Sequence, residues 1–131
     1  MIVVGLVLAG IAAAFHVYVF FLESLAWTGP RARRIFGVRS ERAAEIMKPL
    51  AVNQGFYNLF LAILALLGIV FFALGSAVVG ATLVFAGCGS MVAAGAVLVV
   101  SSPSKARAAA LQAGPPLLAI AALIVGLVIA G

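Results

Sequence analysis

Charge is the scarcest property of this chain. Only 8% of its 131 residues are charged, eight Lys or Arg against three Asp or Glu, whereas about a quarter are charged in an average soluble domain. There is a single histidine, a single cysteine and a single tryptophan. The lone Cys88 excludes an intrachain disulfide and carries no indication of redox compartment. One histidine and three carboxylates, of which Glu41 and Glu45 fall in a polar loop, are too few for the usual three or four protein ligands of a metal site, so neither metal nor cofactor is expected. Nucleophilic triads, phosphate-cradling glycine loops and nucleic-acid-binding modules are absent. No internal repeat is clear enough to suggest inverted symmetry.

What is present is apolar. The chain is 66% hydrophobic with a mean hydropathy of +1.34, and a domain this small buries only about 60–70% of the surface its unfolded chain exposes. Lipid has to cover the remainder, which makes the expected fold an all-α transmembrane four-helix bundle. The net charge of +5 matters less than its placement. Arg31, Arg33, Arg34, Arg39, Arg42 and Lys48 fall in one polar segment, and Lys105 and Arg107 in another. The positive-inside rule reads both as cytoplasmic loops, with both termini outside.

In chain order, Met1 to Leu22 has no charged side chain and is long enough to span. Without a basic n-region it reads as a retained first span rather than a cleaved signal peptide. Trp27 follows at interfacial depth, and Gly29-Pro30 ends the helix. The polar segment from about 29 to 48 is either a solvated, topology-fixing loop or a lipid-headgroup or partner patch. Within it, Ser40 is placed to cap a helix starting at Glu41. The uncharged run from Pro49 to Ser104 is too long for one span, which predicts two, at about 50–73 and 77–100, joined by a turn near Leu74-Gly75-Ser76. A fourth span is expected at about 108–130. Small residues crowd the third, including Gly80, Gly87, Gly89, Ser90 and Gly95, which lets helix backbones approach closely and leaves room for a homodimer.

The candidate chemistry lies in a few polar residues. Asn53, Gln54, Tyr57 and Asn58 occupy two turns just inside the second span, where side chains that form hydrogen bonds are costly against hydrocarbon. His16, Glu23 and Trp27, at about 100° per residue, fall within roughly 40° of one another on the first helix. Gln112 stands near the start of the fourth. Apart from His16, about 10 Å deeper, this set should form a polar pocket near the cytoplasmic end of the membrane. Glu23, at a helix C-terminus where the dipole disfavours a carboxylate, needs a cation such as Arg31, Arg33 or Arg34, an amide donor or a proton. Trp27, Asn53, Gln54, Tyr57, Asn58 and Gln112 are the candidate ligand-binding residues. His16 and Glu23 are the candidate acid-base pair.

His16, Glu23, Trp27-Thr28, Phe36-Gly37, the run Asn53-Gln54-Gly55-Phe56-Tyr57-Asn58 with Leu59-Phe60-Leu61-Ala62, and Gln112 before a Gly-Pro pair together resemble the small bacterial membrane family known as domain of unknown function thirteen-oh-four. The resemblance implies four spans and a bacterial inner membrane, and no activity. Here Gln112 is followed by Ala113-Gly114-Pro115-Pro116, where the family motif usually ends Gln-x-x-Pro-Ala. On architecture alone the arrangement also resembles sterol isomerases and their relatives. Three functions fit these residues. One is binding or transport of a lipid or amphipathic small molecule. Another is isomerase-like acid-base catalysis by Glu23 and His16 on an apolar substrate. In the last, the polar layer only fixes helix register in an assembly protein.

Overall fold

The computed structural model describes every residue from Met1 to Gly131. Helix α1 (Ile2–Phe20) runs on into a π-helical turn (Phe21–Leu25) and is followed by the short α2 (Pro30–Phe36), α3 (Glu41–Ala73), α4 (Ala77–Ser101), a 3-10 turn (Pro103–Lys105) and α5 (Ala106–Ala130). There is no strand. Four stretches, Ile2–Leu25, Glu41–Ala73, Ala77–Ser101 and Pro103–Ala130, are long and apolar enough to cross a membrane. The chain is all-α, with the helices of a multi-pass membrane protein. Its residues divide into two compact units, Met1–Phe15 with Leu61–Gly131, and His16–Phe60.

The first unit is a four-helix bundle whose core is built from small residues. Ala9, Ala12, Ala13, Ala62, Ala65, Ala81 and Ala119 pack there with Val84, Cys88, Met91 and Leu123, while large apolar side chains such as Val7, Leu66, Val97, Leu118 and Val128 point outward. This inverts the pattern of a soluble bundle. Between helices in hydrocarbon no hydrophobic effect separates inside from outside, so close backbone contact decides what is buried. Glycines mark the crossings. A Cβ added to Gly68 would lie 2.7 Å from the carbonyl oxygen of Gly80, one added to Gly5 would lie 2.9 Å from the Leu123 amide nitrogen, and one added to Gly126 would meet the Ile2 backbone at 2.6 Å. Between α3 and α4 the chain reverses at Gly75, whose φ of 88° is open to glycine without strain. An apolar open depression of about 280 Å³ lies between Met1, Ile2, Val3, Gly126, Ile129 and Ala130, and none of the candidate site residues lines it.

The second unit is held by caps and local contacts. Pro30 occupies the first turn of α2, where its missing N–H costs nothing. Gly37, at φ 70°, ends that helix in the left-handed region, and the Val38 amide closes back on the Arg33 carbonyl at 2.8 Å. Ser40 Oγ accepts from the Ala43 amide at 3.1 Å, an N-cap that starts α3 at Glu41. The helix then continues past Pro49. Much of the polar segment between about 29 and 48 is therefore helical, and the second long helix starts at Glu41 rather than near residue 50. Good helix formers follow the cap, and Pro49 removes only the donor to the Glu45 carbonyl, in a region where Glu45 and Lys48 are exposed. At 1.5 Å per residue α3 is about 50 Å long against a hydrocarbon core of about 30 Å, so part of it must lie outside the core. Replacing Ser40 with Ala is expected to cost about 1 kcal/mol of local stability, read as faster amide exchange over 41–45 with the rest of α3 unchanged.

Candidate functional site

Glu23 sits within the π-helical turn, where the Ala26 amide reaches back five residues to the Phe21 carbonyl at 3.0 Å. Such turns inside α-helices recur at functional sites. Here the turn also breaks the helical spacing, so Trp27 falls beyond the helix end and does not continue a stripe with His16 and Glu23. The Trp27 indole instead donates to the Ala44 carbonyl at 2.9 Å and packs against Phe36 with ring centroids 5.2 Å apart. It is buried in a cluster with Ala44 and Ala51.

Glu23 takes the second of the partners it needs, an amide. Asn58 Nδ2 donates to its Oε2 at 2.8 Å and to the Gln54 carbonyl one turn back at 3.1 Å. No arginine bridges Glu23: the one ion pair in the molecule joins Lys48 and Glu45 at 4.0 Å. Beside it, Ser24 Oγ donates to the Val52 carbonyl at 2.9 Å. Gly55 faces this pair, and a Cβ there would collide with Ser24 Oγ and come within 3.0 Å of Glu23 Cβ. A glycine at position 55 is what allows Glu23 and Asn58 to meet. Ser24 was not among the expected site residues. The signal for it was a small polar side chain next to the one carboxylate of the first apolar stretch.

The remaining candidates are distributed as follows. Asn53, Gln54 and Tyr57 have exposed side chains on α3, with Tyr57 against Phe60, 6.4 Å between centroids. At i and i+4 spacing Asn53 lies beside Tyr57 and Gln54 beside Asn58, so one side of α3 carries a polar band that starts at the Glu23–Asn58 bond. His16 is fully buried. Gln112 belongs to the other unit, half-buried on α5, and Pro115 and Pro116 have no N–H to offer the carbonyls of Leu111 and Gln112 one turn earlier. No cluster of three or more His, Cys, Asp or Glu is placed to hold a metal ion.

The family described as a protein of unknown function (DUF1304) matches residues 10–124. The chain belongs to this family. The match takes in every candidate residue from His16 to Gln112, so the polar residues lie within the part of the chain shared with the family. No curated protein and no solved structure matches the chain.

Proposed function

We propose that this member of the family binds or transports a lipid or amphipathic small molecule, recognising its polar group with Glu23, Asn58 and the adjoining face of Asn53, Gln54 and Tyr57, and leaving its apolar part to the surrounding helices. The reading places the protein in a bacterial inner membrane, with this end of the helices toward the cytoplasm. One observation carries it. The one carboxylate of the first apolar stretch is held by one amide hydrogen bond on Oε2, with no cation and no bond to Oε1, beside amides on Asn53 and Gln54 that are exposed. Polar capacity of this kind at membrane depth is expensive unless something uses it. Burial of His16 favours binding over a catalytic pair, because a proton-transfer group has to reach its substrate.

Mass spectrometry of species that co-purify in mild detergent tests this with Asn53→Ala and Glu23→Gln. The Asn53 side chain is exposed, and glutamine keeps an acceptor for Asn58. Retention of a specific species should fall about tenfold or more in each variant, as expected for loss of a hydrogen bond to a charged or desolvated group worth roughly 1.5–3 kcal/mol. Identical species in all three proteins would leave the polar band as helix-register glue.

A further inference from the structure

Five arginines, Arg31, Arg33, Arg34, Arg39 and Arg42, lie within twelve residues of one another in the unit His16–Phe60, and none has a carboxylate within 4.0 Å. Solvated loop arginines need no partner, but two of these are not disposed as free loop side chains. The Arg31 guanidinium lies over the Tyr18 ring, 5.5 Å from its centroid. Tyr18 is seven residues before Leu25, the last residue of the first span, so about 10 Å of helix separates it from the helix end. The stacked cation is thus drawn back along the span toward the boundary of headgroups and acyl chains. Arg33 is half-buried, and its Nε is enclosed without a hydrogen-bond partner. The helix carrying both is fixed rather than loose: Ala32 is fully buried, and Phe36 packs on Trp27. A cation brought to that depth without a carboxylate needs its counter-charge from the membrane itself.

We propose that α2 is a headgroup site for an anionic phospholipid, with the phosphate bound by Arg31 and Arg34, one turn apart and both exposed, while Tyr18 sets the position of Arg31. Guanidinium forks suit phosphate oxygens in a way lysine does not. The site is separate from the polar band on α3 and rests only on the protein's being in a membrane. A lipid held there would anchor α2 at the surface.

Native mass spectrometry of the full chain in mild detergent, titrated with phosphatidylglycerol or phosphatidylcholine, tests it. The wild type should bind phosphatidylglycerol preferentially. Arg31→Gln and Arg34→Gln should each weaken that binding about fivefold, from about 1 kcal/mol per cation at the surface. Tyr18→Leu, which leaves the net charge unchanged, should weaken it two- to fivefold by releasing the stacked guanidinium. Arg107→Gln, in the other basic segment, should have no effect, and Arg31→Lys should recover only part of the affinity. Equal binding of both lipids by the wild type overturns the proposal without reference to any variant. Equal losses for Arg31→Gln and Arg107→Gln, or none for Tyr18→Leu, reduce the site to bulk charge and overturn it as well. Displacement of the lipid by equimolar glycerol phosphate would assign the arginines to a free anion instead. Loss of phosphatidylglycerol binding in Arg31→Gln with the Asn53→Ala and Glu23→Gln results unchanged separates this site from the ligand band.

Discussion

Gly80→Val is expected to abolish stable packing of α4 on α3. A Cβ at residue 80 would lie 2.5 Å from the Phe72 amide nitrogen and 2.7 Å from both the Gly68 carbonyl oxygen and the Phe72 Cα. These are backbone atoms of the facing helix and cannot rotate away, so the helices have to separate. Separation also withdraws Val84 and Ala81 from the core they share with Ala65. Overpacking costs about 1–3 kcal/mol where side chains can adjust and more where they cannot, and the upper end or beyond is expected here. The measurement is a thermal melt in detergent followed by size-exclusion chromatography, with Gly89→Val as the control in the same helix. Nothing lies within 4 Å of a Cβ at residue 89, so that variant should change stability by less than about 0.5 kcal/mol. Similar losses in the two variants would mean that helix propensity, not the crossing, governs α4.

Trp27→Ala should destabilise the unit His16–Phe60 by about 3–5 kcal/mol, the range for emptying a large aromatic from a packed site. Three contacts go together. The hydrogen bond to the Ala44 carbonyl is lost, Phe36 loses its ring partner, and the cluster with Ala44 and Ala51 loses its one large member. Trp27→Phe separates these, since it keeps an aromatic body and removes the N–H, and about 0.5–1.5 kcal/mol is expected from the lost hydrogen bond alone, the Ala44 carbonyl keeping its place within α3. Amide exchange across α2 and the first turns of α3 reads both effects locally. A Trp27→Ala variant with wild-type protection in α2 would show that the short helix is held by its caps, not by the indole.

That Trp27 follows the first apolar run was legible in the sequence; the buried indole bonded across to residue 44 was not. An aromatic just past an apolar run signals membrane depth through composition, whereas its partner is a backbone carbonyl, which no side-chain pattern marks. The same holds for Glu23. Its need for a cation, an amide or a proton follows from one carboxylate at a helix end. That Asn58 meets it, and that no arginine does, depends on Gly55 letting the two segments close. Spacing arguments assumed an unbroken α-helix from His16 to Trp27, and the π-helical turn at Phe21–Leu25 ended that periodicity. Small residues in the third span were expected at close-packing positions, but which of them meet a neighbour was not visible. Gly80, Gly87 and Gly95 lie against α3 or α5 while Gly89 faces open space.

Sequence alone determined the class of this protein. Long uncharged runs admit only helices where the backbone has no water to bond, and their number and length set four spans. It also determined where the charges and the polar residues lie along the chain, because those are properties of single positions. Tertiary structure decided which of them meet. Asn58 meets Glu23, Ser24 meets the Val52 carbonyl, and Arg31 comes to rest on Tyr18. Hydrocarbon gives helices little reason to prefer one apolar face over another, so these pairings follow from where glycine and alanine permit contact, a property of two surfaces together.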